Sequence, residues 1–107
     1  MTKTMYHIGL DAPLEAKYAI LPGDPGRVEA IAEYLENPQF LASSREYTSY
    51  MGQIEGTPVL VMSTGMGGPS TAIALEELHQ LGVHTLIRVG TCGGMDLDVL
   101  SGDLVIA

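Results

Sequence analysis

The stretch Thr57-Pro58-Val59-Leu60-Val61-Met62-Ser63-Thr64-Gly65-Met66-Gly67-Gly68-Pro69-Ser70 decides how this chain folds. Its first half is apolar at consecutive positions, the mark of a strand covered on both faces and therefore central in its sheet. Its second half is a glycine-rich turn. A helix follows from about Ser70 to Leu81, with Ile73, Ala74, Leu78 and Leu81 on its inward stripe. Gly82 fits the position just past that helix, where a left-handed residue closes the last turn. Strand, turn and helix in succession are the grammar of a layered α/β domain.

Upstream, Glu46 to Ile54 pairs with Thr57 to Ser63 as a hairpin around Glu55-Gly56. Further upstream, Ala16 to Leu21 reads as a short strand ended by Pro22-Gly23. Pro25 then opens a helix capped by Asp24, with Val28, Ile31, Ala32 and Leu35 on one face and Asn37-Pro38 at its end. Downstream, Thr85 to Val89 is a second buried strand running into Gly90-Thr91-Cys92-Gly93-Gly94. Asp103 to Ala107 begins another strand, at which the sequence stops. The expectation is the N-terminal part of something larger, or a natural truncation. No repeat, low-complexity tract or linker divides residues 1–107.

The 107 residues carry 13 acidic and 5 basic groups, a formal net charge of -8. That balance excludes a broad basic face for nucleic acid and a polybasic membrane-binding segment. No apolar run approaches the ~18 to 20 residues that span a bilayer. The start, Met1 to His7, lacks the apolar core of a signal peptide. The single cysteine, Cys92, can form neither an internal disulfide nor an all-thiolate metal site. With 46% hydrophobic and 17% charged residues the chain is globular, and a reduced, cytoplasmic protein is expected.

Three glycine-rich turns, at Gly23, Gly65 to Gly68 and Gly90 to Gly94, each follow an apolar strand. In open α/β sheets ligands bind beyond the carboxyl ends of the strands, so all three turns can line one crevice. Glycine lets the backbone approach a ligand, and consecutive N–H groups then make a nest for an anion. The plainer alternative is that each glycine only permits a tight turn. Arginine placement favours the anion. Arg27 follows the first turn, Arg88 ends a strand just before the third, and Arg45 precedes a strand in Ser43-Ser44-Arg45-Glu46. A guanidinium meets a tetrahedral oxyanion with a planar fork of donors. Pairing of Arg45 with Glu46, Arg27 with Asp24 and Arg88 with a distant carboxylate is the competing account. A P-loop is absent, because no lysine follows these glycines. The near-match to GxGxxG puts Pro69 and Ser70 where a dinucleotide fold wants free backbone and glycine, and no acidic residue closes the next strand.

Pro22-Gly23-Asp24-Pro25-Gly26-Arg27-Val28, Ser44-Arg45-Glu46-Tyr47-Thr48, Ser63 to Thr71 and Ile87-Arg88-Val89-Gly90-Thr91-Cys92-Gly93-Gly94 occur in this order and spacing. Together they resemble the purine nucleoside and uridine phosphorylase family, in its hexameric branch. The resemblance runs from Tyr6-His7-Ile8-Gly9-Leu10 onward and covers the N-terminal part of a typical member. Ser63 to Thr71 and Glu76-Glu77-Leu78 resemble the uridine side, whereas Cys92 stands where uridine phosphorylases often carry threonine. Uridine is thus the leading substrate, with thymidine and purine nucleosides open.

The resemblance implies a three-layer α/β/α fold with a central mixed β-sheet, forming the N-terminal part of a single nucleoside phosphorylase domain. It implies a pentosyltransferase of nucleoside catabolism and pyrimidine salvage, converting nucleoside and inorganic phosphate to free base and ribose 1-phosphate. Gly23, Arg27, Arg88 and Thr91 would bind phosphate within one subunit, with Arg27 and Arg88 the catalytic pair, and Arg45 would reach the same phosphate from a neighbour. His7, also from the neighbour, and Thr91 would hold the ribose. Glu46, Ser70 and the backbone of Met66 resemble a monovalent-cation site, with K+ as a structural ion and no other cofactor. His79 and His84 read as structural. Base-binding and leaving-group residues would lie beyond Ala107. The partners implied are nucleoside, phosphate and further copies of the chain, as a hexamer built from three dimers. A nucleosidase of the same fold and a non-catalytic interaction fragment are the alternatives.

Overall fold

The computed structural model describes residues 3–107, so Met1 and Thr2 of the N-terminal stretch lie outside the described residues. A two-residue antiparallel pair, β1 (Lys3–Thr4) with β2 (Asp11–Ala12), precedes the main sheet. That sheet contains β3 (Tyr18–Pro22), β4 (Glu36–Ser44), β5 (Tyr47–Ile54), β6 (Thr57–Met62) and β7 (Thr85–Val89), in the order β4-β5-β6-β3-β7. β3 runs parallel to β6 and β7, while β4, β5 and β6 are antiparallel neighbours, so the sheet is mixed. β6 is central, as its unbroken apolar run requires.

The two faces of β6 go to two helices because strand side chains alternate. Leu60 and Met62 join Ala19, Leu21 and Tyr47 under Ala74 and Leu78 of α2 (Gly68–Gln80). Val59 and Val61 pack on the opposite side against Val28, which opens α1 (Val28–Ala32), and Leu35. The result is helix, sheet, helix: the three-layer α/β/α arrangement. The β5–β6 turn has φ +50° at Glu55 and +80° at Gly56, the pair of positive values that matches a right-twisted hairpin. After α2, Gly82 (φ +93°) donates to His79 O and Val83 donates to Leu78 O, closing the helix.

Five expectations are corrected. The first helix is shorter than its stripe: a 3-10 turn at Pro25–Arg27 leads into five residues of α1, and Leu35 packs from beyond its end. Asn37-Pro38 does not end a helix but lies in β4, where φ +51° at Asn37 and a register shift absorb the irregularity. On α2, Ile73 stands 36% exposed and Glu77 is buried instead. β7 is exposed along its length, at the edge of the sheet with β3 as its one strand neighbour among the described residues. Residues 103–107 form no strand with any of the described residues. No helix among the described residues is long and apolar enough to cross a membrane.

Candidate anion site at the strand ends

All three glycine turns meet. A cavity of about 580 Å³ opens at the carboxyl ends of β3, β6 and β7. Gly23, Asp24, Pro25 and Arg27 come from the first turn, Gly65 and Met66 from the second, and Arg88, Gly90 and Thr91 from the third, with Glu46 on the wall. The first two turns are laced by backbone bonds, Thr64 N–H to Pro22 O at 3.0 Å and Gly65 N–H to Gly23 O at 2.9 Å. Parallel pairing of β3 with both β6 and β7 brings these loops side by side.

Arg88 is cradled by glycine. Its Nη1 donates to Val89 O at 3.0 Å. A Cβ on Gly23 would lie 2.9 Å from Nη2, and one on Gly90 would lie 2.5 Å from Nη1. A side chain at either glycine would therefore require the guanidinium to shift. Arg88 stands in the cavity wall near the end of β7.

The carboxylates expected to neutralise the arginines are engaged elsewhere. Asp24 accepts from Gly26 N–H at 3.0 Å, as the cap of the 3-10 turn. Glu46 accepts from the Ser70 hydroxyl at 2.6 Å. That bond and then its own backbone N–H hold the Glu46 carboxyl below its ordinary value against the opposing effect of burial, with lesser help from the charges of Arg45 and His7. Among the described residues the only ion-pair contact is His7 with Glu77, so Arg27, Arg45 and Arg88 make none. Two arginines and three glycine turns thus share one opening, an arrangement suited to a small oxyanion.

Arg45 and His7 lie outside this cavity. Arg45, at φ +55° in the β4–β5 turn, sits over the ring of Tyr6 with 5.5 Å to the centroid. Tyr6 in turn meets His7 edge-on at 4.8 Å. None of these three residues lines the cavity, although the charges of Arg45 and His7 act on Glu46 in its wall. Ser70 Oγ lies 2.6 Å from Glu46 Oε2 and 2.5 Å from Thr64 O, while Tyr47 Oη donates to Ser70 O at 2.7 Å. The Ser70 hydroxyl thus has a single proton to share between two acceptors. Among the described residues no group of three or more His, Cys, Asp and Glu side chains could hold a metal. Cys92 is exposed and does not line the cavity, and His84 bonds its neighbour Thr85 at 2.8 Å.

Glu77 was not singled out by sequence reasoning. The signal was present, because Glu77 lies on the Ala74, Leu78, Leu81 stripe at i+3 from Ala74 and i+4 before Leu81. A carboxylate on an inward stripe needs partners, and it has them: the N–H groups of His7 and Ile8 and the His7 ring.

Residues 17–107 match the family described as the Phosphorylase superfamily. The chain is 57% identical to a uridine phosphorylase of Treponema pallidum over 106 residues, covering 99% of this chain and 41% of that protein. It is 52% identical over 104 residues to a uridine phosphorylase of Haemophilus influenzae, covering 95% of the chain and 41% of that protein. A guanosine phosphorylase of Halorubrum lacusprofundi is 47% identical over 89 residues, covering 83% of the chain and 37% of that protein. The chain spans about two fifths of the length of these relatives.

Proposed function

Because the chain belongs to the Phosphorylase superfamily, we propose that it forms the phosphate-binding part of a nucleoside phosphorylase acting on uridine. The observation that carries this reading is the convergence of Arg27 and Arg88, neither in an ion pair with a carboxylate, on a cavity walled by three glycine turns. The uridine phosphorylases among the relatives support uridine over other nucleosides.

In this reading phosphate sits against the Gly23 turn between Arg27 and Arg88, with the Thr91 hydroxyl beside it. A dianion held there is positioned on one face of the sugar, close to C1′. As the bond from C1′ to the base lengthens, positive charge builds on the sugar ring, and the phosphate oxygens stabilise it before one of them bonds to C1′. The electron pair of the broken bond leaves with the base, and ribose 1-phosphate remains. Arg27 and Arg88 orient the nucleophile and hold its charge in place; they do not transfer a proton.

Arg45 and His7 do not line the cavity of their own chain, and in this reading they complete the site of a second copy. This supports a homo-oligomer with shared sites, which we assign as a hexamer of three dimers. His7 and Thr91 hold the ribose. Glu46, Ser70 and the Met66 backbone would hold K+, whose charge would steady the Gly65 turn; no other cofactor is assigned. The enzyme is assigned to the cytoplasm.

Release of uracil from uridine, followed with and without inorganic phosphate, tests the reading. Phosphate-dependent release is expected. Release that ignores phosphate would make the protein a nucleosidase, and no release by folded protein would make it a non-catalytic interaction fragment.

A further inference from the structure

Glu77 projects from α2 toward the core and is 8% exposed. One short loop takes up both its oxygens. Oε1 accepts from the backbone N–H of His7 and of Ile8, each at 3.0 Å, and Oε2 lies 2.5 Å from Nδ1 of His7. Burial pushes this carboxyl's pKa up, but the Ile8 N–H, the His7 ring and the His7 N–H together outweigh it, leaving the pKa below its ordinary value. The group is therefore an anion near neutral pH.

An ionised carboxylate can only accept hydrogen bonds, so the nitrogen facing it must carry the proton. When the imidazole is neutral, the other nitrogen, Nε2, is then left with a lone pair. The ring is 38% exposed, and Nε2 has no hydrogen-bond partner among the described residues. The bound edge of the ring thus decides the chemistry of the free edge.

We propose that Glu77 is a positioning residue that locks His7 in the Nδ1–H tautomer, so that Nε2 offers an acceptor to a hydroxyl of the sugar. This rests on the ribose role given to His7 above. A lone pair at that place rewards a hydroxyl that can donate. It gives nothing to a sugar lacking the hydroxyl, and it repels a phosphate ester there, so the site selects an unphosphorylated nucleoside.

The test is a nitrogen-15 correlation spectrum of labelled histidine at about pH 8.5, roughly two units above the ordinary imidazole value. His7 Nε2 is expected to show the shift of an unprotonated nitrogen in the native protein. Glu77→Gln keeps an acceptor but adds donors, and is expected to move His7 toward the Nε2–H form. A protonated Nε2 in the native protein, or the same spectrum in both, overturns the proposal; the native spectrum alone decides the tautomer if the variant does not fold. In parallel, the native preference in kcat/KM for uridine over 5′-deoxyuridine is expected to fall about tenfold in Glu77→Gln, the scale of one well-placed hydrogen bond. An unchanged preference overturns the role in sugar recognition. Failure of folded native protein to cleave either nucleoside overturns the phosphorylase reading instead, while the nitrogen spectrum still decides whether Glu77 sets the tautomer.

Discussion

Strands β6 and β7 are written in nearly the same alphabet and live in opposite surroundings. Pro58-Val59-Leu60-Val61-Met62 lies between β5 and β3, with a helix layer over each face, and Val59 to Met62 are all buried. Thr85-Leu86-Ile87-Arg88-Val89 has β3 on one side, and every residue is exposed. An apolar run announces a strand, but neighbouring layers decide its burial. The difference also divides the work. β6 contributes to the core on both faces of the sheet, whereas β7 carries Arg88 into the cavity wall.

The largest expected effect lies on the β6 side of that contrast. Leu60→Ala removes a fully buried side chain between β6 and α2 and is expected to cost about 2 to 5 kcal/mol in chemical denaturation. A cost under about 1 kcal/mol would erase the distinction between the strands. On the β7 side the largest effect falls on binding. Arg88→Ala is expected to weaken phosphate binding about 100-fold, through loss of charge-assisted bonds, with an unchanged denaturation midpoint. Gly23→Ala puts a methyl group 2.9 Å from Arg88 Nη2, so the guanidinium must move; phosphate affinity is expected to fall about tenfold with the fold intact. A Gly23→Ala protein that binds phosphate normally would show that the cradle does not set the site.

Two smaller effects sharpen the comparison. Glu77 has a folded-state pKa below its ordinary value of 4.5, so its contribution to stability is present above that value and is lost as pH falls through the lower folded-state value. Denaturation of native and Glu77→Gln protein at neutral pH and near pH 3 is expected to show a gap that narrows in acid; a constant gap would contradict the ionised partner for His7. Smallest of all, Ile87→Ala is expected to change stability by no more than about 0.5 kcal/mol, since Ile87 is 60% exposed.

The legible parts of the fold were those written in local chemistry. Glu55-Gly56 marked the hairpin, Gly82 marked the end of α2, and the run from Val59 to Met62 marked the central strand. β4 was illegible because its side chains are mostly exposed and polar, with Asn37-Pro38 imitating a helix stop. The exposure of β7 was illegible because no local pattern records which layers lie over a strand. In the site, the meeting of three turns followed from parallel strand grammar, and Arg27 and Arg88 do line one opening. The state of Arg27 and Arg45 was open, since adjacency to Asp24 and Glu46 suggested pairs that local caps and Ser70 had already claimed. Glu77 was hidden by its own charge, which made an inward position look like a solvated one.

Calorimetric titration of inorganic phosphate into the folded protein tests the central claim most directly. One phosphate is expected to bind per chain, saturably, with binding lost when Arg27 and Arg88 are both replaced by alanine. Absence of saturable binding, or binding that survives the double replacement, would contradict the assignment of this cavity as a phosphate site.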